Sequence, residues 1–165
     1  MKTVYFVRHA KSSWADMSLD DIDRPLNKRG LRDAPFMASV LKGKGVIPNA
    51  IISSPANRAF TTATYFAKEL NIPKEKIKQE PRIYEAMTSE VMDIVQNLPE
   101  AYKLVLVFGH NPTFTTIANL FSDNYIANLP TCGIFRVDAN VESWSQFNDT
   151  SGKLTELHYP KQYFS

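Results

Sequence analysis

The chain has 165 residues, 44% of them hydrophobic, and a net charge of +2. That length buries one good core but is short for two ordinary domains, so a single domain over residues 1–165 is expected. The near-neutral balance with scattered lysines gives no nucleic-acid surface, and no apolar run reaches the about 18–20 residues of a membrane-spanning helix.

Lys2 to Val7 is a β-type run that ends abruptly in Arg8-His9-Ala10. The polar stretch from Lys11 to Pro25 reads as a long functional loop. Asn27 is a good N-cap for a helix reaching about Leu41, with Leu31, Phe36, Met37, Val40 and Leu41 on its apolar face. Lys42-Gly43-Lys44-Gly45 closes it, since cations suit a helix carboxyl end and glycine suits the left-handed cap. A strand at Ala50–Ser53 leads into a helix from about Asn57 to Leu70. Lys74, Lys76 and Lys78 read as a solvated edge or loop. A third strand is expected near Ile77 to Tyr84 and a helix near Ser89 to Leu98. A fourth strand over Lys103–Phe108 runs into a helix starting at Pro112, where proline costs no hydrogen bond, and ending near Phe121. Ile134–Val137 and Leu154–Leu157 alternate like antiparallel edge strands. The pattern predicts an α/β fold: a mostly parallel central sheet with helices on both faces. Cys132 is the one cysteine, which excludes an internal disulfide and fits a reducing compartment. The N-terminus enters a strand directly, without the pattern of a secretory leader. A cytoplasmic monomer is expected.

Three buried-type strands deliver Arg8-His9, Arg58 and His110 just beyond their carboxyl ends, the edge where ligands of open α/β sheets collect. Arg8 and Arg58 can each present a planar fork of donors to phosphoryl oxygens. His110, if protonated, adds a charged donor, and the helix after it adds the positive end of its dipole. His9 has the opposite duty: one ring nitrogen must be unprotonated to attack phosphorus while the other donates to a carbonyl or carboxylate. His158, the third histidine, reads as structural or exposed.

The motifs Arg8-His9-Ala10, Ser53-Ser54-Pro55-x-x-Arg58-Ala59-x-x-Thr62 and Gly109-His110-Asn111-Pro112 resemble those of the histidine phosphatase superfamily, also called phosphoglycerate mutase-like. Asp23-Arg24-Pro25-Leu26-Asn27-x-Arg29-Gly30 looks most like its small SixA-type phosphohistidine phosphatases. The resemblance implies a phosphoglycerate mutase-like fold, His9 as nucleophile, and Arg8, Arg58 and His110 as phosphate-binding catalytic residues. Asn111 and Trp14 join the candidate substrate contacts, Trp14 being equally compatible with a core position. Glu85 resembles the glutamate that protonates the leaving oxygen in mutase-like members; a solvated loop glutamate is the alternative. The acidic loop of Asp16, Asp20, Asp21 and Asp23 is a second source of acid, and no metal or other cofactor is expected. Ala10 stands where many members have glycine, and Ala15 where mutase-like members commonly have a phosphate-contacting asparagine. The expected activity is a phosphatase acting through phospho-His9, on protein phosphohistidine. The other readings are a small-molecule phosphomonoesterase or mutase-like enzyme, and a phosphate-sensing binding module.

Overall fold

Strands β1 (Lys2–Arg8) and β4 (Leu104–Gly109) are buried at nearly every position because both of their faces are covered. Val4 and Phe6 of β1 and Val105 and Val107 of β4 face one core cluster, while Tyr5, Val7, Leu106 and Phe108 face the other. The computed structural model describes residues 1–164. Helices α1 (Lys28–Gly43) and α2 (Asn57–Glu69) cover the second cluster, and α3 (Thr88–Gln96) and α4 (Thr113–Phe121) the first. With β2 (Ala50–Ser53), β3 (Lys78–Gln79), β5 (Ile134–Ala139) and β6 (Gly152–His158), the sheet has the order β3-β2-β4-β1-β5-β6. The first four strands in that order are parallel, and β5 and β6 run antiparallel at one edge. No helix among the described residues is long and apolar enough to cross a membrane.

The local signals for α1 hold. Asn27 Oδ1 accepts from Gly30 N at 2.9 Å, and the exit is a Schellman turn in which Gly45 adopts φ +74°. Its closing bonds run from Val46 N to Leu41 O and from Gly45 N to Lys42 O.

Two expectations near the site are corrected. The third strand spans only Lys78–Gln79, because Pro81 lacks a donor and opens a 3-10 turn at Pro81–Ile83. Tyr84 and Glu85 therefore lie on a loop, with Glu85 at φ +56°. Helix α4 begins at Thr113, so Pro112 is its N-cap residue and not its first helical one. Asn111 Oδ1 accepts from Thr115 N at 3.1 Å and satisfies one of the free donors at that helix start.

Candidate active site

Parallel register brings the three strand exits level. Arg8 of β1 is paired with Gly109 of β4, so His9 and His110 leave the sheet side by side, with ring centroids 5.2 Å apart. Ser53 of β2 is paired with Phe108, which brings Ser54 beside the same exit. The ladder continues past the strands: His9 N donates to Gly109 O and Ser54 N to Phe108 O, each at 3.1 Å. Arg58 is delivered by the first turn of α2, directly after the β2 exit.

His9 is 8% exposed and its Nδ1 lies 2.7 Å from Ala10 O. A carbonyl only accepts, so the proton sits on Nδ1 and the lone pair on Nε2. Burial pushes the His9 pKa down to about 3, helped by His110, Arg58 and Arg8 and opposed by the Ala10 contact. The imidazole is neutral at pH 7, as a nucleophile requires.

His110 departs from the expected charged donor. Burial first, then Arg58, lowers its pKa to about 4, so the free protein holds this ring neutral as well. Its Nε2 lies 2.8 Å from Ser54 Oγ, a hydroxyl that already accepts from Ala56 N. Ser54 can therefore donate to Nε2, which leaves the ring proton on the buried Nδ1.

Arg8 Nη1 donates to Leu129 O at 2.8 Å. Arg58 Nη1 and Nη2 are held by Asp21 O at 2.7 Å and Asp21 Oδ2 at 3.0 Å. Among the described residues, four buried side-chain polar atoms lack a partner. Three are Arg8 Nε, Arg58 Nε and His110 Nδ1, all potential donors around His9. Buried donors are normally satisfied, so a cluster of free ones marks a place built for an anion.

Around this cluster lies a set of supports. Thr62, the last residue of the Ser53–Thr62 motif, accepts from Ala10 N at 3.0 Å and donates to Arg58 O at 2.7 Å, tying the first exit to α2. Asp21 carries the Arg58 ion pair, accepts from Tyr84 Oη at 2.6 Å and from Arg24 Nε at 3.1 Å, and has its pKa lowered to about 2, chiefly by the tyrosine bond. Burial and the same bond raise Tyr84 to about 12, so the phenol stays protonated, with its ring edge-on to His110 at 5.7 Å. Asp21, anionic above about pH 2, is thus the member of the acidic loop that orients Arg58 and supplies no proton. Ser54, Thr62 and Tyr84 were not singled out in the sequence. Ser54 and Thr62 had a local signal, their places in the motif, and Tyr84 had none.

The remaining candidates divide. Glu85 is exposed and lines a cavity of about 310 Å³ together with His110, Asn111 and Pro112, which places it beside His110. Asn111 is engaged elsewhere: its Nδ2 donates to Asn128 Oδ1 and Leu129 O, and its Oδ1 also takes the Thr115 hydroxyl. It braces α4 against the Leu129 carbonyl that holds Arg8. Trp14 is 64% exposed, neither core nor bonded to the four central residues; it stacks on the Arg24 guanidinium at 3.6 Å. His158 bonds Glu156 at 2.9 Å near the β6 end, a structural contact.

The sequence profile described as histidine phosphatase superfamily (branch 1) matches residues 4–105. An uncharacterised chloroplast protein of Arabidopsis thaliana is 31% identical over 159 residues, covering 92% of this chain and 72% of that one. A crystal structure designated phosphohistidine phosphatase SixA, from Agrobacterium tumefaciens, superposes with a TM-score of 0.81 at 25% identity, covering 96% of this chain and 98% of that one. A protein histidine phosphatase SixA complexed with tungstate shares the fold at TM-score 0.80 and 22% identity, covering 97% and 98% of the two chains.

Proposed function

Given that the chain belongs to the histidine phosphatase superfamily, in its SixA-type branch, we propose that it hydrolyses protein phosphohistidine through a covalent phosphoryl intermediate on His9. The observation that carries this reading is the convergence of the free donors Arg8 Nε, Arg58 Nε and His110 Nδ1 around a histidine whose Nδ1 is committed to Ala10. The bound tungstate of the SixA relative is in keeping with an oxyanion at such a centre.

In the first step the Nε2 lone pair of His9 forms a bond to phosphorus while the bond to the leaving imidazole nitrogen breaks. The departing nitrogen takes a proton from solvent or from Glu85. Arg8, Arg58 and His110 meet the three equatorial oxygens, where charge is dispersed in the transition state. An arriving phosphate dianion raises the affinity of His110 for a second proton, which converts it to the charged donor. Water then attacks phospho-His9, releasing inorganic phosphate and returning the pair to Nε2. A phosphohistidine leaving nitrogen needs little proton donation, which suits an exposed Glu85 held by no hydrogen bond among the described residues.

Turnover of a phosphohistidine peptide against alkyl and aryl phosphate esters, with rapid quench, tests the reading. Phosphate trapped on His9 that is acid-labile and base-stable, with the peptide preferred, is the expected result. Preference for alkyl phosphates favours a small-molecule phosphomonoesterase, and binding of phosphate without turnover favours a sensing module.

A further inference from the structure

A second cleft, of about 580 Å³, is lined by Arg8 together with Lys11, Arg29, Arg32, Asp33 and Lys161. Five cations thus face one carboxylate there, in a chain whose net charge is only +2, so the rest of the molecule is net negative. Two of the cations are fixed in place. Asp33, fully buried, pairs with Arg32 Nη2 at 2.8 Å and lies 3.6 Å from Arg29 Nε, while Arg29 Nη2 donates to Thr131 Oγ1 at 3.1 Å. The Arg32 guanidinium also lies over the Phe164 ring at 4.2 Å. Lys11 and Lys161 have no ion-pair or side-chain hydrogen-bond partner among the described residues. None of Lys11, Arg29, Arg32 and Lys161 takes part in the phosphoryl chemistry.

We propose that this cleft docks an acidic segment flanking the phosphorylated side chain of a protein substrate, with Lys11, Arg29, Arg32 and Lys161 receiving its carboxylates. Arg8 borders both sites, so a phosphoryl group seated on His9 leads its neighbouring residues across the cleft. The Arg29 and Arg32 side chains are 54% and 51% exposed, and an ion pair that exposed to water and salt contributes little by itself. One carboxylate on a small molecule therefore gains little here. A segment carrying several gains by summation and by steering of its encounter with the site. The inference rests on a phosphoprotein being the substrate, and it adds which sequence around the phosphoresidue is selected.

The test uses two phosphohistidine peptides that differ only in flanking glutamates or lysines, with an aryl phosphate as a control for the chemistry. The wild-type protein is expected to favour the acidic peptide in kcat/KM by about tenfold or more at low salt, a preference that shrinks in about 0.5 M NaCl. Lys11→Glu combined with Lys161→Glu should abolish or invert the preference while leaving aryl phosphate turnover and the thermal midpoint near wild type. Lys161→Glu alone, on an exposed turn, should move the preference in the same direction. Equal use of both peptides, or a loss of aryl phosphate turnover matching the loss on peptide, overturns the docking surface. If no phosphohistidine peptide is hydrolysed, the same flanks on a phosphotyrosine peptide decide. Discrimination there upholds the cleft while the phosphohistidine reading falls, and no discrimination overturns both.

Discussion

His9 and His110 sit 5.2 Å apart under the same cations, and both are kept neutral, yet their free nitrogens differ. The Ala10 carbonyl leaves His9 with a lone pair on Nε2, whereas the Ser54 hydroxyl can donate to His110 Nε2 and so leave that ring its proton on Nδ1. Division of labour between nucleophile and donor therefore rests on two hydrogen bonds. His9→Ala is expected to lower aryl phosphate turnover by about 10³-fold or more, because the covalent step is lost. Tungstate should still bind, since Arg8, Arg58 and His110 remain; calorimetry and steady-state kinetics on one preparation check both halves. Appreciable activity in this variant would sink the covalent mechanism. Glu85→Gln separates leaving groups. A general acid is worth about 10²–10⁴-fold when the leaving group is poor, so alkyl phosphate kcat should fall by that order while phosphohistidine and aryl phosphate turnover barely change. Equal losses on all three would make Glu85 a group that shapes the cavity it shares with His110.

Helix α1 is the element that fixes the loop leaving β1. Asn27 N donates to Lys11 O at 2.9 Å, Ser12 bridges to Leu26, and Arg24 holds Ser12 Oγ and Ser13 O. Gly30 lies so close that a Cβ there would overlap the Lys11 carbonyl oxygen. Gly30→Ala should therefore cost about 1–3 kcal/mol of stability and, by shifting the backbone next to Ala10, lower kcat more than a core defect of equal cost elsewhere. Gly43→Ala in the last turn of the same helix meets nothing within 4 Å and should be neutral or stabilising by about 0.4–1 kcal/mol. Thermal melts with aryl phosphate kinetics on both variants check the pair. The elements that sequence reveals are those with local causes: the apolar runs of β1 and β4, the Asn27 cap and the Gly45 exit. The strand expected from Ile77 to Tyr84 is cut to Lys78–Gln79, because Pro81 cannot donate to a ladder and opens a 3-10 turn. Arg8, His9, Arg58 and His110 could be read because each closes a strand or opens a helix. Asp21 on Arg58, Tyr84 on Asp21 and Ser54 on His110 join residues 37, 63 and 56 positions apart, and no local pattern announces such contacts.

At the scale of the whole molecule the sheet places its positive charge at one edge, and that charge belongs to side chains. Activity should accordingly survive exhaustive treatment with EDTA; a loss restored by added Mg²⁺ would show that the acidic loop around Asp21 binds metal after all. The same arrangement makes stability depend on pH. His9 and His110 have folded pKa values of about 3 and about 4, against about 6.5 for an unfolded histidine. Above pH 6.5 both rings are neutral in both states, and they add no pH dependence. As the pH falls from about 6.5 towards 4 the unfolded chain takes up protons that the folded one refuses, so stability drops through that window and the effect levels off once the folded rings protonate. Asp21 acts lower down: its pKa of about 2 means that its stabilising share is kept above the ordinary carboxylate range and lost as pH falls towards 2. His9→Asn combined with His110→Asn removes the upper window only. Thermal midpoints measured between pH 7 and pH 4 should therefore decline more steeply for the wild type than for the double variant. Parallel declines would mean that the two histidines are not held neutral by the fold, and the account of His9 as a ready nucleophile would fall with them.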